Sequence, residues 1–218
     1  MDDTSRLILD RVGAIAPSLD EAMASAILQA ETRARGLDHA RFPHYRPLSI
    51  RQDVRLALEA QALPGWQIGG DPRKMGQLLL LDDQTGMTVR FLKAPYSQPD
   101  RVPHAGSNAA RRNTWSQKPL PTMGTPGLLS TVGSLSRTHF LLVWAYLNSE
   151  ARTDGYDLRI VHPREPGRFG AATLCDLDLT IPRGGNLGEK DLRFTASDDD
   201  EDLFSFGLSD VEEDEGGA

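Results

Sequence analysis

Six cations, Arg90, Lys93, Arg101, Arg111, Arg112 and Lys118, fall between residues 90 and 118, a stretch whose only carboxylate is Asp100. Tyr96, His104 and Trp115 are interleaved with them. This is the chemistry that single-stranded nucleic acid requires: cations displace counterions from phosphates, and a flat ring offers a face on which a base stacks. Asn108, Asn113, Ser107 and Ser116 add hydrogen-bonding groups with no preference among bases. The pattern nominates Arg90, Lys93, Arg101, Arg111, Arg112, Trp115 and Lys118 as a nucleic-acid-contacting set. The alternative is an exposed loop whose arginines pair with carboxylates elsewhere in the fold. A sequence pI near 5.2 lies far from the value above ~9 that marks a dedicated DNA-binding domain.

The opposite charge is concentrated at the other end of the chain. From Asp198 to Glu215 there are ten acidic residues and no Lys or Arg; without those ten, the formal net charge of −7 becomes +3. Leu203, Phe204, Phe206 and Leu208 sit between two acidic blocks. Acid-flanked apolar residues suit a disordered segment that docks on a partner, the charge speeding encounter and the apolar groups giving affinity. These four are the candidate partner-binding residues. The same tail on a flexible tether would also cover the basic stretch, or act only as a solubilising extension.

Catalytic chemistry is sparse. His39, His44, His104, His139 and His162 are the only histidines, and none has carboxylate or Cys spacing that completes a metal set. No nucleophile elbow, phosphate loop or dinucleotide fingerprint is present, and Gly184-Gly185 reads as a turn after a strand. No cofactor and no metal are therefore expected. The order helix, hairpin, helix, strand across 48–147 resembles the restriction-nuclease-like fold. That resemblance implies a magnesium site in which Asp82 or Asp83 supplies a carboxylate and Lys93 steadies the attacking water. Phe91 stands where the family places its second carboxylate, a departure that removes one hard oxygen ligand.

The elements that must position these residues are legible as periodicities. Ile8, Val12, Ile15 and Leu19 recur at helical spacing, and Pro17 should end the first helix near Ala16. Ser18 with Glu21, and Ser49 with Gln52, read as capping boxes that start a second and a third helix. Residues 77–81 and 87–92 flank Asp82-Asp83-Gln84-Thr85-Gly86 as a hairpin. Residues 140–147 are apolar on both faces, which marks a central strand. Tyr156 to His162 and Thr173 to Ile181 alternate with period two. Between the hairpins, 95–126 contains six prolines and reads as a long basic loop. The expected fold is α+β: N-terminal helices (1–64) packed on a mostly antiparallel sheet of about five strands (65–185), then a disordered acidic tail (186–218).

A chain of 218 residues supports one sizeable core. The single Cys175 excludes an intrachain disulfide and falls in a strand pattern, as a buried, inert thiol would. The acidic N-terminus lacks the features of a signal peptide, and the longest apolar run, Phe140 to Leu147, is too short to span a bilayer. The sequence thus predicts a cytoplasmic, non-enzymatic adaptor or regulatory protein that binds a macromolecular partner, a protein first and nucleic acid second, with no membrane. The rivals are the magnesium-dependent nuclease, or its inactive relative, and a structural or assembly protein of a phage or large complex.

Overall fold

The computed structural model describes residues 2–95, 98, 100–120, 135–168 and 171–195. Helices α1 (Asp3–Gly13), α2 (Ala16–Arg33) and α3 (Tyr45–Glu59) precede strands β1 (Trp66–Gly69), β2 (Leu79–Asp82) and β3 (Thr88–Lys93). Helix α4 (Ala109–Trp115) comes next, then β4 (His139–Tyr146), β5 (Tyr156–Pro163), β6 (Cys175–Thr180) and β7 (Leu192–Phe194). The architecture is α+β. Its seven strands pair in sequence order, and every neighbouring pair is antiparallel except β3–β4.

The α1–α3 layer buries Ile8, Val12, Leu19, Met23, Ile27, Ile50, Val54 and Leu58 against Val89 and Phe91 of β3 and Phe140, Leu142, Trp144 and Tyr146 of β4. The intervening β4 residues, Leu141, Val143 and Ala145, face the other way. They pack with Ala94, Ala105 and Trp115. That second cluster explains why β4 is apolar on both faces: helices cover one and the 94–120 segment covers the other. The expected long loop is therefore, in its described part, a folded layer with its own helix, N-capped by the Asn108 side chain.

Other expectations shift in detail. Among the described residues the sheet has seven strands, not five, because four-residue β1 and three-residue β7 are edge strands too short to show a periodicity. Segment 186–195 belongs to the sheet through β7, whereas the acids from Asp198 onward, with the segment 121–134, lie outside the described residues. Helices α2 and α3 begin before the supposed capping boxes, each with a proline in its first turn, where the missing N–H has no intrahelical acceptor to lose. Ser49 then sits inside α3 and accepts from Arg33 Nη2 at 2.7 Å. Gly185 packs directly on the start of α2. Its φ is 72°, and a Cβ there would lie 2.3 Å from Pro17 N, so both conformation and space require glycine.

Candidate functional site

Strand alternation first separates the basic residues. Arg90 and Lys93 are three apart on β3 and so project to opposite faces: Arg90 beside Leu92 on the α4 side, Lys93 beside Val89 and Phe91 under the helices. They do not form one patch. Arg101 is half-buried, while Arg112 and Lys118 are exposed. Trp115 is 1% exposed and packs on Leu141, Val143 and Val161, so its ring is core and offers no face to a base. Of the three interleaved rings, Trp115 is thereby removed as a stacking face, whereas His104 is exposed and Tyr96 lies outside the described residues.

Arg90 instead meets two other arginines. Burial lowers its pKa first, and the nearby guanidiniums of Arg111 and Arg51 lower it further. Arg51 is lowered in turn by burial and by Arg111. Three half-buried cations thus converge from β3, α4 and α3. Arg51 Nη1 donates to the Met75 carbonyl at 2.9 Å, while its Nε is buried with no hydrogen-bond partner. Arg111 Nη1 reaches the Ala105 carbonyl at 3.5 Å. No carboxylate pairs with any of the three among the described residues. Four other half-buried or buried arginines do meet a carboxylate: Arg11 pairs with Asp82, Arg46 with Glu31, Arg55 with Glu59 and Arg159 with Asp178. The only carboxylates of the chain outside the described residues are the ten of the tail. Arg51 carried no signal in the sequence, because α3 is rich in polar residues and only packing brings it to Arg90.

The nuclease-like set is not brought together. Asp82 is buried at the hairpin end, where it accepts from Arg11 Nε at 3.0 Å, Thr85 N at 3.1 Å and Thr85 Oγ1 at 2.6 Å. Its backbone N–H donates to Met87, from which Lys93 is six residues along β3, about 20 Å at strand rise. Asp83 is exposed in the same turn. Asp82 therefore ties α1 to the hairpin, and Lys93 acts in a different place. Among the described residues no group of three or more His, Cys, Asp or Glu could hold a metal ion.

At the far end of β3, Lys93 Nζ lies 5.4 Å from the centre of the Trp144 ring and 5.7 Å from that of Tyr146. Burial, with the field of Arg152, pulls its pKa down to about 8. Cys175, by contrast, is pushed up to about 12 by burial and by Asp178 and Asp176, which leaves the thiol protonated and inert. His162 is buried against Asp176, Nδ1 to Oδ1 at 2.6 Å, and Asp176 Oδ2 also accepts the Leu120 N–H at 2.9 Å. That pair anchors the segment before residue 121 to β5 and β6.

The candidate partner-binding residues Leu203, Phe204, Phe206 and Leu208 lie outside the described residues. Among the described residues no helix is long and apolar enough to cross a membrane. Comparison with known protein families, with curated proteins and with solved structures gives no match.

Proposed function

We propose that this chain is a non-enzymatic, cytoplasmic adaptor or regulatory protein. Its arginine triad, Arg51, Arg90 and Arg111, receives acidic or phosphorylated side chains of a partner protein, and its acidic, apolar-studded tail makes a second contact. The observation that carries the reading is three convergent, half-buried guanidiniums with no carboxylate of the described fold beside them. Guanidiniums are planar forks that match carboxylate and phosphate oxygens two at a time, and partial burial strengthens each such bond. The burial of Trp115 favours an acidic protein segment over a single-stranded nucleic acid as occupant.

The test is fluorescence anisotropy with a labelled acidic peptide, its phosphorylated counterpart and a single-stranded oligonucleotide. The full chain is compared with Arg90→Glu and with a chain ending at residue 197. The reading expects peptide binding that Arg90→Glu weakens at least tenfold. If the tail competes for the triad, truncation tightens that binding. Oligonucleotide binding in preference to peptide, with a salt slope near −2 for about three phosphates, would transfer the site to nucleic acid. Equal peptide affinity for wild type and Arg90→Glu would remove the triad from the proposal.

A further inference from the structure

An open cleft of about 440 Å³ lies between α2 and the β4–β5 turn, within the ~300–1,000 Å³ range of ligand sites. Ala24, Ile27 and Leu28 of α2 line it together with Leu147, Gly155 and Tyr156. Leu28 is 62% exposed and Leu147 59%, so the cleft presents two large aliphatic side chains to water. Arg183 also lines it, its Cζ 4.2 Å from the centre of the Tyr156 ring. Arg183 Nε is 3.5 Å from Asp20 Oδ1, but that carboxylate is engaged elsewhere: Oδ1 accepts the Tyr156 hydroxyl, and Oδ2 accepts the Gly184 N–H at 2.7 Å. The Arg183 side chain is 58% exposed, and its Nη groups have no acceptor among the described residues. The other charged residue of the lining, Asp154, is exposed.

The chain carries a segment of matching chemistry. Asp202-Leu203-Phe204-Ser205-Phe206 places a carboxylate directly before three apolar side chains. That segment is also within reach. The described chain ends at Thr195, whose N–H donates to the Asp176 carbonyl at the start of β6. Arg183 lies seven residues beyond Asp176, about 23 Å at strand rise, and crossing from β7 to β5 adds about 10 Å sideways. Leu203 and Phe206 follow Thr195 by eight and eleven residues, which extend at most about 26–40 Å. We propose that segment 202–206 docks into this cleft of its own chain. Phe204 and Phe206 cover Leu28 and Leu147, and the Asp202 carboxylate pairs with Arg183. A buried Phe withdraws about 150–250 Å² from water, and a tether of this length holds the segment at an effective concentration on the order of 1 mM. A segment that alone binds with Kd of about 100 µM is then docked in about nine chains of ten. A partner protein that takes the tail must first draw it from the cleft. The cleft shares no residue with the arginine triad, so the docking does not rest on peptide binding there.

The experiment is fluorescence anisotropy with a labelled peptide of residues 198–210, titrated with two full-length chains. One is wild type, whose own tail competes. The other carries Phe204→Ser and Phe206→Ser, which open the cleft and leave every tail carboxylate in place. The open chain should bind the peptide saturably and about tenfold more tightly than wild type. Adding Leu28→Gln and Leu147→Gln to the open chain should weaken the peptide at least tenfold, and adding Arg183→Met at least threefold. Both leucines are exposed, so these variants should keep the circular dichroism of the wild type. No saturable binding to the open chain, equal affinity for the two chains, or cleft variants within twofold of the open chain would overturn the docking. Loss of binding on Arg90→Glu instead would send the segment to the triad and overturn it equally. A wild-type dimer that the open chain does not form, seen by light scattering, would place the segment in the cleft of a second copy and refute the contact within one chain.

Discussion

Asp82→Ala separates an architectural carboxylate from a catalytic one. The Asp82 side chain is fully buried and receives hydrogen bonds from Arg11 Nε and Nη2, Thr85 N and Thr85 Oγ1. Truncation leaves Arg11 with the Gly65 carbonyl at 3.2 Å and strands the Thr85 donors. Removing one partner of a buried ion pair costs about 3–5 kcal/mol. Arg11 is 13% exposed at its side chain, so partial hydration places the loss at the lower end, about 3 kcal/mol. For a chain of this size that is a fall in melting temperature of about 6–12 °C. Circular dichroism during heating and urea denaturation would measure it, with exposed Asp83→Ala as the control, expected within about 0.5 kcal/mol of wild type. The pH dependence has a definite sign. Burial pushes the Asp82 carboxyl up, but hydrogen bonds from Arg11 and Thr85 outweigh it and the pKa ends below 3.8. The stabilisation is therefore complete above the unfolded value and lost as pH falls through the lower folded one. The gap between wild type and Asp82→Ala should narrow below about pH 4. A loss under about 1 kcal/mol, or an equal loss for Asp83→Ala, would refute the clamp.

Other consequences follow from packing and burial. Trp115→Ala should cost about 3–5 kcal/mol by emptying the second core, and a variant of wild-type stability would contradict its placement. Gly185→Val should destabilise the fold or displace the turn from the start of α2, because φ is 72° and a Cβ would lie 2.3 Å from Pro17 N; an unchanged urea midpoint would argue against that contact. Cys175, with its pKa pushed up to about 12, should react with iodoacetamide at pH 8 at least about a hundredfold more slowly in the folded chain than in urea. Comparable rates would show the thiol to be accessible and ionised.

Much of the scaffold could be read from spacing alone. The helical stripes of α1 and α2, the β2–β3 hairpin, and the alternation in β5 and β6 are local patterns, because each element must show one face to a core and periodicity records that requirement. The doubly apolar β4 likewise announced a strand covered on both sides. Single edge strands escaped, since three or four residues hold less than one full repeat of evidence. The true starts of α2 and α3 escaped because a first-turn proline competed with a good capping box further on.

Charge segregation, the lone inert thiol and the lack of a local catalytic motif were properties of the chain itself, since composition and order define them. Which cations lie near one another was decided only by the tertiary structure. Strand alternation sent Arg90 and Lys93 to opposite faces, and α3 and α4 brought Arg51 and Arg111 to Arg90. Trp115 passed from prospective platform to core by the same route. Proximity across 40 or 60 residues depends on how whole layers pack, and no pairwise spacing along the sequence encodes it.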